Sequence, residues 1–252
     1  MPRQFMPSVR SEIFALRPDY CALSIIAEGV QNVARHPASD KIIETVRARK
    51  PCPAWGDAHL EAWRAAYRGF GAKPQRTPSS AEALARRIQG DGELPTINAV
   101  VDLYNALSVR FAIPIGGENI AAYVGDPLLK RATGHETFDT VKEGSPCSET
   151  VPAGEVVWAD ERGVTCRRWN WRQGLRTRID ATTTRMWFVL ERLDPMPMPA
   201  LLEAGRLLVA TLQKLSPGIA IASTTIDRPD VTPCAETAHS DRCMSASGEQ
   251  SS

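Results

Sequence analysis

Five arginines, Arg167, Arg168, Arg172, Arg176 and Arg178, fall within 12 residues and are interleaved with Trp169 and Trp171. A guanidinium offers phosphate a planar fork, and an indole offers a base or sugar a flat face. Arg168, Trp169, Trp171, Arg172 and Arg176 are therefore candidate contacts for a polyanion that carries rings, such as RNA. Further on, the apolar run Met186 to Leu193 contains Glu191. A carboxylate near the end of an apolar strand is costly unless it is paired or faces a pocket. Upstream, Gly116 and Gly117 lie in the sequence I-P-I-G-G. Paired glycines permit close backbone approach, and their amides can meet an anion or a carbonyl oxygen. The stretch before them carries Asn98, Asp102 and Asn105 at i, i+4 and i+7. That stripe lacks the long charged side chains of an ordinary solvated helix face. It fits either an internal hydrogen-bonded network or groups that orient a loop or a ligand.

The elements that must position these groups follow from periodicity and turn residues. Tyr20 to Val30 is an apolar run suited to a buried strand. Asp57 to Phe70 repeats Leu60, Trp63, Ala66, Tyr67 and Phe70 at helical steps and stops at Gly71 and Pro74. Ser79 and Glu82 form a capping box that opens a second helix. A third helix is predicted over Thr96 to Phe111, followed by a glycine-bearing turn. Val156 to Trp158 and Val164 to Trp169 read as strands joined by the hairpin Asp160-Glu161-Arg162-Gly163. A helix from about Met198 to Leu215 and a strand from Ile219 to Ser223 close the ordered part. Residues 1–10 read as a tail, 11–226 as one domain, and 227–252, poor in large apolar residues, as a disordered tail.

Composition bounds the function. Lys and Arg number 30 against 29 Asp and Glu, a net charge of +1 over 252 residues, so nucleic-acid binding would need a local patch. The six cysteines, Cys21, Cys52, Cys147, Cys166, Cys234 and Cys243, form no C-x-x-C pair, and no histidines sit at zinc-ligand spacing. His135 has no serine or cysteine partner in a nucleophile elbow. No metal or cofactor is expected. With no signal-like N-terminus and no apolar run long enough for a bilayer, the expectation is a cytoplasmic protein without a membrane partner.

The ordered motifs L-P-x-I-N-x-V-V-D-L-Y-N from Leu94, I-P-I-G-G, G-H-E-x-F, P-x-G-E-V-V, C-R-R-W-N-W-R-Q and T-x-x-x-W-F-V-L-E resemble a known family. They are similar to the B3/B4 domain of the phenylalanyl-tRNA synthetase beta chain, and more closely to free-standing bacterial proteins made of that domain alone. The resemblance runs from about Asp57 to Leu215. It implies an α+β fold, a three-layer B3/B4-type domain with mixed and antiparallel sheets and flanking helices. It also implies an editing activity, the hydrolysis of tRNA charged with the wrong amino acid, mainly tyrosine in place of phenylalanine, without a metal. The family's editing-site acid falls on Glu191, its helix motif on Asp102 and Asn105, and its glycine-bearing loop near Gly174. Asn170 and Thr184 join these as expected pocket residues. Where the synthetase domain carries a histidine after the motif's proline, this chain has Gly116. The synthetase's catalytic core is missing, so amino-acid activation is not expected.

The resemblance and the residues together suggest a deacylase acting in trans on aminoacyl-tRNA. Glu191 would hold the amino group or orient water, the amides of Gly116 and Gly117 would meet the carbonyl oxygen, and the Arg/Trp segment would guide the tRNA acceptor end. Two alternatives stand beside it: an RNA-binding module without chemistry, and a small-molecule protein that recognises a free amino acid.

Overall fold

The computed structural model describes residues 5–49 and 53–228. Most of the expected disordered tail, residues 229–252, lies outside the described residues. Two sheets, and a group of helices packed on the free face of one of them, make three layers, the α+β arrangement that the family resemblance implies.

The inner sheet has four strands in the order β11-β2-β10-β3, namely Ala220–Ile226, Cys21–Glu28, Arg185–Arg192 and Ile115–Asn119, all pairs antiparallel. Successive side chains of β10 alternate faces, as a pleated strand requires. Met186, Phe188 and Leu190 enter one core with α5 (Ala99–Phe111) and α6 (Met198–Leu215). Trp187, Val189 and Leu193 enter a second core on the opposite face. Glu191 shares the parity of that second set. Helix α6 lies so close to β2 that a Cβ on Gly205 would come within 2.3 Å of Leu23 Cδ2.

The outer sheet covers the second face. Its path is β1-β4-β7-β8-β5-β6, Ser8–Val9, Leu128–Arg131, Val156–Ala159, Val164–Arg167, Thr137–Lys142 and Ser145–Thr150, with β9 (Arg172–Gln173) paired to β8. Ser8 and Val9, inside the stretch read as a tail, pair in parallel with Leu128 and Leu129. Helix α3 (Gly56–Gly69) seals the end of the interface between sheets with Trp63, Ala66 and Tyr67. Three more helices, α1 (Ser11–Leu16), α2 (Pro37–Arg49) and α4 (Ser80–Gly90), complete the described chain.

Three local expectations change in physical detail. The capping box at α4 is half made: Ser79 Oγ accepts from the Glu82 amide at 3.3 Å, but the Glu82 carboxylate turns to Arg64 and Arg86. An arginine pair outcompetes a backbone amide for a carboxylate that is 2 % exposed. Helix α5 begins at Ala99, not Thr96, because Asn98 caps it by accepting from the Val101 amide at 3.0 Å. Strand β8 ends at Arg167, two residues early, because Arg168 and Trp169 adopt positive φ of 47° and 67°. That left-handed pair turns the chain back into β9.

Candidate functional site

The left-handed turn is what builds the site. After β8, the amide of Trp169 bonds the carbonyl of Val156 at 2.6 Å, and the indole swings inward to complete burial, 0 % exposed. Its Nε1 donates to Glu191 Oε1 at 3.0 Å. Two more donors meet the same oxygen: the Tyr20 hydroxyl at 2.8 Å and Trp158 Nε1 at 3.1 Å. Asn170 Nδ2, from the same turn, donates to Oε2 at 2.9 Å, and its own Oδ1 accepts from the Tyr67 hydroxyl at 2.9 Å. Oε1 is thus crowded with donors from the residue just before β2, from β7 and from the turn, whereas Oε2 holds only one.

Glu191 is 1 % exposed, and no Lys, Arg or His among the described residues forms an ion pair with it. Burial pushes its carboxyl up to about 7 despite the four neutral donors. A buried acid held by donors without a cation keeps both protonation states within reach near neutral pH, the condition for proton transfer.

Glu191 lines a cavity of about 140 Å³ with Asn105, Gly116, Gly117, Glu118, Asn170 and Gln173. The register explains its shape. Glu118 faces Trp187 and Gly116 faces Val189, so both lie on the face of the sheet that carries Glu191. Four residues separate Trp187 from Glu191, about 14 Å along the strand at ~3.4 Å per residue. Gly116 sits between the two acids, and its missing side chain leaves the floor open; a Cβ there would meet only Val189 Cγ1, at 3.3 Å. Glu118 is the residue that the sequence reading missed. It is 3 % exposed, accepts from the Tyr123 hydroxyl, and burial pushes it up to about 7. Its signal in the sequence was an acid directly after two glycines, which reads equally well as a turn.

The two glycine amides are not equivalent. The amide of Glu191 donates to Pro114 O at 3.0 Å, and antiparallel pairs alternate. That alternation directs the Gly116 amide into the ladder toward Val189, so it is no oxyanion donor, and turns the Gly117 amide to the open edge of β3. Gln173 Nε2 bonds the Gly117 carbonyl on that edge at 3.0 Å.

The remaining expected site residues divide. Asn105 and Asn170 line the cavity. Asp102 does not: its Oδ1 accepts from the Ile97 amide at 2.8 Å at the helix start, and it borders a separate small cleft. The polar stripe is therefore mainly a capping arrangement. Gly174 supports the β8-β9 hairpin, donating to Thr165 O at 2.7 Å with backbone and Phe138 packed against it. Thr184 is exposed, and its carbonyl accepts from Gly29 and Val30 at the end of β2.

Two residues expected on the RNA face are interior. Trp169 has no free ring face, since Tyr20, Trp63 and Phe70 pack around it. Arg176 spans both oxygens of Asp160 at 2.7 and 2.8 Å, with side chains 13 % and 0 % exposed. Arg167 is likewise committed to Glu155 and Glu149. What remains outside is Trp171, with Arg168 4.3 Å over its ring, and the exposed Arg172. Trp171 and Arg172 border the cavity. Among the described residues, no three His, Cys, Asp or Glu side chains gather as a metal site would need, and no helix is long and apolar enough to cross a membrane.

Fold and site together define an α+β domain whose two sheets enclose a small pocket ending on a cation-free buried carboxylate. The B3/4 domain family matches residues 62–198, more than half of the chain, and the protein belongs to that family. No curated protein matches it. Among solved structures it is similar to an N-terminal fragment of the phenylalanyl-tRNA synthetase beta-subunit from Pyrococcus horikoshii, at 10 % identity and a TM-score of 0.45. The match covers 87 % of this chain and 50 % of that one, so the chain spans about half the length of the fragment it resembles.

Proposed function

We propose that this protein binds the acceptor end of tRNA and hydrolyses wrongly charged aminoacyl-tRNA in trans. The observation that carries the reading is Glu191: one carboxylate oxygen crowded by three neutral donors, the other holding only Asn170, a place in the lining of a pocket of amino-acid size, and the carboxyl at about 7. Membership of the B3/4 family and the motifs that resemble an editing domain support this choice of substrate class.

In this mechanism Oε2 of Glu191 accepts a proton from a water that attacks the aminoacyl ester carbonyl. The Gly117 amide faces the open edge beside the cavity, where a donor to the developing oxyanion is needed. Collapse of the tetrahedral species breaks the ester C–O bond, and the ribose oxygen leaves with the proton returned by Glu191. The products are a free amino acid and an uncharged tRNA. Trp171 and Arg172 at the rim would hold the terminal nucleotide by stacking and by charge.

The test is hydrolysis of a panel of correctly and wrongly charged aminoacyl-tRNAs by the wild type and by Glu191→Gln. Selective loss of one mischarged species, abolished by the substitution, is expected. A folded wild type that leaves every species intact overturns the chemistry and leaves an RNA-binding module.

A further inference from the structure

Beside the Glu191 cavity, on the other side of the left-handed turn, lies a larger groove of about 470 Å³. Phe70, Lys73, Arg76, Thr77, Glu155 and Arg168 line it. Three of these six are cations. Lys73 and Arg76 stand on the exposed segment between α3 and α4, and neither forms an ion pair among the described residues. Elsewhere this chain pairs its arginines readily: Arg64, Arg68, Arg86, Arg167, Arg176 and Arg185 all meet carboxylates. The one acid in the lining, Glu155, is already spent. Arg167 grips both its oxygens at 2.8 Å, and the Arg168 amide donates to it at 3.1 Å. Glu155 also pairs with the Arg168 guanidinium at 3.5 Å, so the positive charge left without a counter-charge in the groove is that of Lys73 and Arg76, in a concave setting that concentrates the field. Phe70, only partly buried, adds a ring to its wall.

Arg168 joins the groove to the cavity. Its guanidinium lies over Trp171, which borders the Glu191 cavity, while the same side chain lines the groove. The two spaces are thus separated by the width of one turn, Arg168 to Trp171, a few residues of chain. That is the scale of the step from one nucleotide to the next.

We infer that the Lys73–Arg76–Arg168 groove is a phosphodiester subsite that holds the RNA strand one or two nucleotides before the end that enters the Glu191 cavity. This rests on the RNA-binding part of the proposed function and does not require the hydrolysis. The Lys73 and Arg76 side chains make no hydrogen bond or ion pair among the described residues, and alanine keeps the backbone bonds of their turn, so the double variant Lys73→Ala/Arg76→Ala is expected to melt with the wild type. The experiment is fluorescence anisotropy of uncharged tRNA against full-length protein over a range of KCl concentrations. Each cation on a single-stranded phosphate contributes about 0.7 to the slope of log affinity against log salt, so the double variant should bind more weakly with a slope smaller by about 1.4. Equal slope and equal affinity overturn the inference, even if the variant loses binding of inorganic phosphate, which would mark a free-anion site instead. A reduced slope in a protein that hydrolyses nothing upholds the groove while removing the deacylase. A wild type that binds no RNA removes both.

Discussion

Replacing Tyr20 by Phe tests the electrostatics of the pocket at a single atom. The Tyr20 hydroxyl donates to one acceptor, Glu191 Oε1, at 2.8 Å, and burial has pushed the phenol's own ionisation far above its usual range, so it keeps the proton that it donates. Phenylalanine keeps the ring against Trp169 and Phe14 and removes only the hydroxyl. A hydrogen bond to a charged group contributes about 1.5–3 kcal/mol. Part of that also benefits the protonated acid, and two indoles still donate to Oε1. A net loss of about 1.4 kcal/mol for the ionised form corresponds to one pKa unit. The carboxyl should therefore titrate about one unit higher in the variant, from about 7 toward 8. Because Trp158 and Trp169 donate directly to this carboxylate, their fluorescence should report the titration without any substrate. The wild-type transition should be absent in Glu191→Gln and displaced upward in Tyr20→Phe. A midpoint that stays put or falls would mean that the hydroxyl does not stabilise the ionised form, and the donor-cage account of Glu191 would be wrong.

Two further outcomes follow from buried charges. Glu118 has a folded pKa raised from 4.5 to about 7, so the native state holds a proton that the unfolded chain releases between those pH values. Its contribution to stability is present below about 4.5 and lost as pH rises through 7, a difference of about 3 kcal/mol. Glu118→Gln, whose amide oxygen can still accept from Tyr123, should gain stability at pH 8 relative to wild type and little at pH 4.5; equal differences at both values in urea unfolding would refute this. Arg176→Ala strips the guanidinium from Asp160, leaving a buried carboxylate with backbone donors alone, and should cost about 3 kcal/mol. RNA affinity of the folded variant should be unchanged, and a clear fall would place Arg176 on the RNA surface after all.

Much of the fold was legible because its signals are local. The stripe from Leu60 to Phe70, the Ser79 cap and the Asp160 hairpin are set by residues a few positions apart. The apolar strands flanking the core were legible for the same reason. The short outer strands were weaker: β4 is mostly half-buried without alternation, β6 is a mostly exposed SPCSET with no apolar run, and β3 hides behind its glycines. The stripe of Asn98, Asp102 and Asn105 fitted both an internal hydrogen-bonded network and a ligand-facing set, because a capping pair and a pocket face share the same spacing. Only the start of α5 at Ala99 separates them.

Residue types alone fix the chemistry available: a carboxylate at the end of an apolar strand, a cluster of arginines and indoles, and a bare glycine pair. The sequence also carried the ordered motifs that resemble the family. Tertiary structure decided which of these groups meet. Two adjacent residues in left-handed conformation at Arg168 and Trp169 reverse the alternation after β8. That reversal sends Trp169 and Asn170 inward to Glu191, some twenty residues later in the chain, and leaves Arg168 and Trp171 at the rim. Residue type could not reveal this, because an indole serves equally as a stacking face and as a buried donor. What settles its role is the direction of the backbone that carries it, and that direction depends on contacts made from distant strands.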